Sequence, residues 1–162
     1  MNIKLIEERR NANMSCNCCE SSKNEEVLVC PVCKQIGDTV SIETVKSLVN
    51  DGVDILDTKY HICKGANCDV VYFSENQVIV DLEVKVQVWY KEKSKSKIIC
   101  YCSNISTDDI DSAFQKNKGL TLNDVIKELK KENASDCLHN NPTGKCCHKI
   151  ISQYIENIND IS

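Results

Sequence analysis

Apolar and polar positions alternate in two distinct periods along this chain. Between Ser41 and Val49 the apolar residues Ile42, Val45, Leu48 and Val49 stand at helical spacing, which predicts a short helix. Val70-Val-Tyr-Phe73 is a continuous apolar run, and from Val78 to Tyr90 the period becomes two. Val80, Leu82, Val84, Val86 and Val88 alternate with Asp81, Glu83, Lys85 and Gln87, predicting one long strand with a buried and a wet face. Ser74-Glu-Asn-Gln77 between the two runs suits the turn of an antiparallel hairpin.

Beyond residue 97 the pattern becomes helical. Ser106-Thr-Asp-Asp109 has the form of a capping box with Asp in place of Glu, opening a helix through Phe114. Thr121 is placed to cap a second helix with Leu122, Val125, Ile126 and Leu129 on one face. A last helix is predicted from about Lys145 to Ile158, with Ile150, Ile151, Tyr154, Ile155 and Ile158 inward.

The expected fold is α+β, a zinc-ribbon-like hairpin half followed by a small all-helical half. Residues 1–26, rich in Asn, Ser and Cys over 11–24 with no apolar period, form a cysteine-containing tail. Residues 27–94 form the β-rich unit and 95–162 the helical one, with the boundary near Ser94–Lys97. The charged run Lys91 to Lys97 reads as a solvated linker.

Composition adds that the core is modest. Five Tyr, two Phe and one Trp are spread over 162 residues, yet there are twelve cysteines. That density points to disulfides or metals. The N-terminus shows no secretory pattern and no apolar run approaches a membrane span, so a cytoplasmic, reducing setting with free thiols is expected. The formal charge of −4 becomes about −8 once metal–thiolate sites are loaded, which disfavours nucleic acid as partner.

Cys30-Pro-Val-Cys33 and Cys63-x4-Cys68 place four thiols within 39 residues, with Pro31 and Gly65 suited to tight turns. Four thiolates complete the tetrahedral shell of a structural zinc. His61 lies beside this set and is expected at an edge or in solvent rather than on the metal. Cys100-Tyr-Cys102 precedes the first capped helix, and Cys137 and Cys146-Cys147 precede the last. Helix N-termini lower thiolate pKa, and four cysteines form the usual shell of a 2Fe–2S cluster. Five cysteines compete for four places. His139 and His148 flank them and read as neighbours of the ligands.

Cys100-Tyr-Cys-Ser-Asn-Ile-Ser-Thr-Asp-Asp-Ile110, two helices and late cysteines resemble the bacterioferritin-associated ferredoxin type of 2Fe–2S domain. The ordered set Cys30-Pro-Val-Cys33, Cys63-x4-Cys68-Asp-Val-Val-Tyr-Phe73, Cys100-Tyr-Cys102 and Asn141-Pro-Thr-Gly-Lys-Cys-Cys-His148 resembles the N-terminal domain of CopZ-type copper chaperones over about residues 28–158. The resemblance implies zinc on Cys30, Cys33, Cys63 and Cys68. It implies the cluster on Cys100, Cys102, Cys137 and Cys147, with Cys146 the alternative; Cys147 is favoured by standing four residues before Ile151. It further implies a copper-transporting ATPase or copper chaperone domain as partner, besides a redox partner. Family members add a βαββαβ domain with an MxCxxC copper site, which these 162 residues do not contain. Met14, Cys16 and Cys19 in the tail fit MxCxxC, and Cys18 adds a thiol, making a candidate Cu(I) site.

The expected function is metal, chiefly copper, homeostasis, as a metallochaperone accessory or one-electron carrier. The alternatives are a ferredoxin-like partner in iron handling and a zinc-ribbon interaction module. No nucleotide-binding glycine loop, Walker motif or Ser/His/Asp set suggests an enzyme, and one-electron reduction of a metal is the sole chemistry implied.

Overall fold

The structure, a computed structural model, describes residues 27–95, 97–130 and 135–161. Its first part is a four-stranded antiparallel sheet in sequence order: β1 (Asp38–Val40), β2 (Tyr60–Ile62), β3 (Val70–Phe73) and β4 (Val78–Val80). Helix α1 (Ile42–Leu48) follows β1, and Ser41 caps it by accepting the Glu43 amide at 3.2 Å. Val45 and Leu48 of α1 pack with Val40, Tyr60, Tyr72 and Ile79 in the main core of this part. The expected hairpin is present: Phe73 faces Val78, and the Ser74 amide reaches the Gln77 carbonyl at 2.8 Å.

β3 is buried along its whole length because both of its faces are covered. Val71 and Tyr72 belong to the α1 core, while Val70 and Phe73 join Cys30, Cys63 and Cys68. Strict alternation would not give that grouping; a register irregularity between Val70 and Tyr72 does.

The long strand expected over Val78–Tyr90 does not form. β4 ends at Val80, and Asp81–Glu83 is a single 3-10 turn. The Glu83 carboxylate accepts the Val80 amide, the Asp81 amide turns to the Asp69 carbonyl, and Leu82 is 89% exposed. Val84, Val86 and Val88 still pack on one core, but Val80 and Leu82 do not join them. Val84 bridges Val49, Val88 closes the core, and the buried residue of β4 is Ile79, out of phase with them.

The second part was expected to be all-helical, but it begins with a two-stranded sheet, β5 (Ile98–Cys100) and β6 (Ile105–Ser106). Three helices follow as expected: α2 (Thr107–Lys116), α3 (Leu122–Leu129) and α5 (His148–Ile161), with a single-turn helix α4 (Cys137–Asn140) before α5. Ser106 and Thr121 form capping boxes with Asp109 and Asp124. Ile99, Ile105, Ile110, Val125, Ile151 and Ile155 make the core of this part. The linker reading of 91–97 also needs correction: Lys91 is 4% and Ser94 8% exposed, whereas Glu92, Lys93, Lys95 and Lys97 are exposed. No helix among the described residues is long and apolar enough to cross a membrane.

Candidate metal centre

Cys30 and Cys33 lie on either side of the turn after residue 29, where the Lys34 amide returns to the Cys30 carbonyl at 2.9 Å. Cys63 directly follows β2, and Cys68 stands two residues before β3. The two pairs therefore face each other across the end of the sheet. Cys30 Sγ lies 3.9 Å from Cys68 Sγ, and Cys33 Sγ lies 3.5 Å from Cys63 Sγ. All four sulfurs fall within 4.8 Å of one another.

Thiolates around one ion with metal–sulfur bonds of roughly 2.3 Å form a tetrahedron with edges of about 3.8 Å, so the spacing fits a closed four-cysteine site. It does not fit disulfides, whose sulfurs approach to roughly 2.05 Å, and all nine described cysteines are free thiols. Gly65 completes the cradle. A Cβ there would meet the Cys33 sulfur at 2.9 Å, while the Gly65 amide donates to Cys63 Sγ at 3.4 Å.

Charge is distributed unevenly over this set. Burial pushes the Cys33 thiol up, but the Gln35 amide and the thiols of Cys63, Cys30 and Cys68 outweigh it and hold Cys33 at about 7. Burial drives Cys63 up to about 12 against the Gly65 amide and the nearby Lys91 ammonium. Cys68 is raised as well, chiefly by burial. His61 is not at an edge or in solvent: it is 3% exposed on interior strand β2, its ring 5.7 Å from Phe73.

Four of the five other described cysteines converge elsewhere, in two pairs. Cys100 ends β5, and Cys147 immediately precedes α5. The Cys147 thiol and the Ser103 amide hold Cys100 at about 5 against burial. Cys147 is pushed up by Cys100 and by burial. Cys102 Sγ lies 3.8 Å from Cys137 Sγ on α4, and burial raises Cys137 to about 12. Cys146 is exposed while Cys147 is buried. His139 pairs with Asp136 at 2.7 Å in solvent, and His148 opens α5. Met14, Cys16, Cys18 and Cys19 lie outside the described residues.

Several contributors went unread in the sequence. Ser103 is buried beside Cys100, and Lys91 is buried against the Cys63–Cys68 loop, although its position in a charge run suggested solvent. An aromatic pair, Trp89-Tyr90, immediately before that run was the available sign that the chain is still packed there.

Four thiols on a small antiparallel sheet define a tetrathiolate metal-binding domain, a class in which zinc closes the fold. The family model described as the CopZ zinc binding domain matches residues 28–85, the segment that holds all four thiols. The chain is 31% identical over 123 residues to the copper chaperone CopZ of Archaeoglobus fulgidus, across 74% of this chain. It spans only 57% of that relative's length. The X-ray structure of the Archaeoglobus fulgidus CopZ N-terminal domain superposes with a TM-score of 0.67 at 28% identity, covering 78% of this chain and 96% of that one. Residues 28–85 thus match a zinc-binding domain model of CopZ type, and the fold is similar to that of the Archaeoglobus fulgidus CopZ N-terminal domain.

Proposed function

We propose that this chain is the zinc- and 2Fe–2S-binding part of a copper-homeostasis system, acting as a metallochaperone accessory or one-electron carrier. The observation that carries the reading is the arrangement of the second set of thiols. Cys100 with Cys147, and Cys102 with Cys137, make two close pairs contributed by β5, the turn after it, α4 and the start of α5. A single ion needs all its ligands close together, as in the first set of four. A two-iron cluster takes two thiolates on each iron, which is what two separate pairs supply. Cys100 and Cys147 are buried in the core of the second part, Cys102 packs against it, and the Cys147 amide at the start of α5 donates to the Cys137 thiol. Zinc is assigned to Cys30, Cys33, Cys63 and Cys68.

When bound, the cluster supplies one-electron chemistry. Cys100, Cys102, Cys137 and Cys147 would hold it and shield it against the core of the helical part. The similarity to CopZ supports copper as the metal served, with a copper-transporting ATPase or copper chaperone domain as partner and a cytoplasmic setting. The tail cysteines Cys16, Cys18 and Cys19 with Met14 are proposed as a transient Cu(I) site.

Metal analysis with a visible spectrum on protein purified without oxygen tests this. About one zinc and two irons per chain, by the ligand count of each site, with thiolate-to-iron absorption is the expected result. A second reading, a zinc-based protein-interaction module, draws on the first thiol set being the only described group gathered tightly enough for one ion. Zinc without iron in a colourless sample would favour it and sink the cluster assignment.

A further inference from the structure

We propose that Lys91 is the charge-compensating and positioning residue of the four-cysteine centre, an inference that rests on the zinc assignment above. Residues 90–92 form a strap over the loop that carries two of the four thiols. Tyr90 Oη donates to the Cys63 carbonyl at 2.8 Å, Lys91 Nζ donates to the Gly65 and Val70 carbonyls, each at 2.8 Å, and the Glu92 amide donates to the Ala66 carbonyl at 3.0 Å. Three consecutive residues thus fasten one loop. All three lie beyond the 28–85 segment that the zinc-binding family covers.

The side chain of Lys91 is what a purely structural strap does not require. It is 4% exposed, so water does not neutralise it. Its two carbonyl partners satisfy two of its three N–H donors but carry no net charge. Among the described residues the ion pairs to carboxylates are made by Lys64, Lys85, Lys93 and His139, and none by Lys91. A buried ammonium without an anion is costly, and a neutral amide could serve the same carbonyls more cheaply. The anion the fold offers is the metal centre itself. Gly65 lies between Cys63 and Cys68, Val70 lies two residues past Cys68, and zinc on four thiolates carries about two negative charges. A fixed positive charge at this loop stabilises the loaded, anionic state and does less for the metal-free one.

The test compares wild type with Lys91→Gln and Lys91→Arg in the full chain. Zinc affinity is read by competition with a chromophoric chelator, and thiolate-to-metal absorption is read after replacement of zinc by cobalt. Zinc uptake by wild type checks the underlying assignment on its own, before any variant is compared. With charge compensation, Lys91→Gln binds zinc about 10–100-fold more weakly, the range usual for loss of an outer-shell partner. Its cobalt charge-transfer band moves to longer wavelength, because the thiolates lose a stabilising positive charge. Lys91→Arg stays within about threefold of wild type with an unshifted band, on the same reasoning. A Gln variant with unchanged affinity and absorption, whatever its thermal stability, overturns the proposal. Should the Gln variant not fold, an Arg variant that folds and still loses tenfold or more in affinity overturns it, and one that keeps the affinity supports it.

Discussion

A methyl group on residue 65 would sit 2.9 Å from the Cys33 sulfur, closer than real Cβ contacts come, and 3.0 Å from Cys68 Cβ, tighter than most. Gly65→Ala must therefore push apart the thiols that the metal needs at tetrahedral spacing. The expected cost is about 1–3 kcal/mol of holo-protein stability, from overpacking, with weakened zinc binding; denaturant titration of the zinc-loaded protein and chelator competition read the two effects. Unchanged values would mean that the loop relaxes around the methyl group. In the second set of thiols the decisive contrast is Cys146 against Cys147. Cys147 is buried against Cys100 and Cys146 is exposed, so Cys147→Ser should abolish iron loading while Cys146→Ser leaves it near wild type. Iron per chain measures this, and the reverse order would exchange the two assignments. The gathering of Cys30, Cys33, Cys63 and Cys68 was legible because each pair is closely spaced and few other side chains bind soft metals. Lys91 was not, since its burial depends on the Gly65 and Val70 carbonyls more than twenty residues away.

Elements read correctly from the sequence are those whose start signal lies within the element. Ser106 with Asp109 and Thr121 with Asp124 exchange hydrogen bonds at 2.6 to 3.3 Å over a single turn, and α2 and α3 begin where those signals stand. Replacing either Ser106 or Thr121 by Ala should cost about 1 kcal/mol, seen as an earlier thermal transition. The same boxes give a pH dependence. Bonds from the Ser106 amide and hydroxyl hold the Asp109 carboxyl below its ordinary value, and bonds from the Thr121 hydroxyl and amide do so for Asp124. A depressed folded-state pKa contributes stability that is present above the unfolded value of about 4 and is lost as the pH falls through the lower folded value. Asp109→Asn with Asp124→Asn should thus melt earlier than wild type at neutral pH and draw level with it in acid. A gap that persists below both values would assign the effect to packing. The long strand was misread for the opposite reason. Period two over residues 78–90 is real in the sequence, but it cannot show that Glu83 folds back to the Val80 amide and Asp81 to the Asp69 carbonyl. Local alternation was overridden by contacts that form only once the hairpin exists.

Across the whole molecule, the two parts that alternation and helical period separate near residue 94 are joined by specific polar contacts. Thr44 of α1 donates to the Leu138 carbonyl at 2.6 Å, and Tyr72 of β3 donates to the Pro142 carbonyl at 2.8 Å. Both acceptors lie between Cys137 and Cys147, so the loop carrying two proposed iron ligands is tied to the core of the zinc-binding part. Gly144 sits so close to Thr44 that a Cβ there would approach Oγ1 to 2.5 Å, which leaves this loop little room to shift. On the other side, Tyr101 between Cys100 and Cys102 donates to the Gln87 carbonyl at 2.7 Å and accepts from the Trp89 amide at 3.1 Å, next to the residues that strap the zinc loop. Tyr72→Phe keeps the ring in the core but leaves the Pro142 carbonyl unpaired, at a cost of about 1–3 kcal/mol. Because the lost bond lies on the cluster loop and not on the zinc-site loop, zinc affinity should hold while iron is released faster to a chelator. Zinc removal acts through the same frame. Cys63 follows β2 and Cys68 precedes β3, so releasing the metal loosens the strands that carry Tyr72, and iron loss should quicken in the zinc-depleted wild type as well. In Tyr72→Phe that additional quickening should shrink, since its transmitting bond is already gone. Equal acceleration by zinc removal in both proteins would mean that the parts communicate through Tyr101 or the Thr44 contact instead.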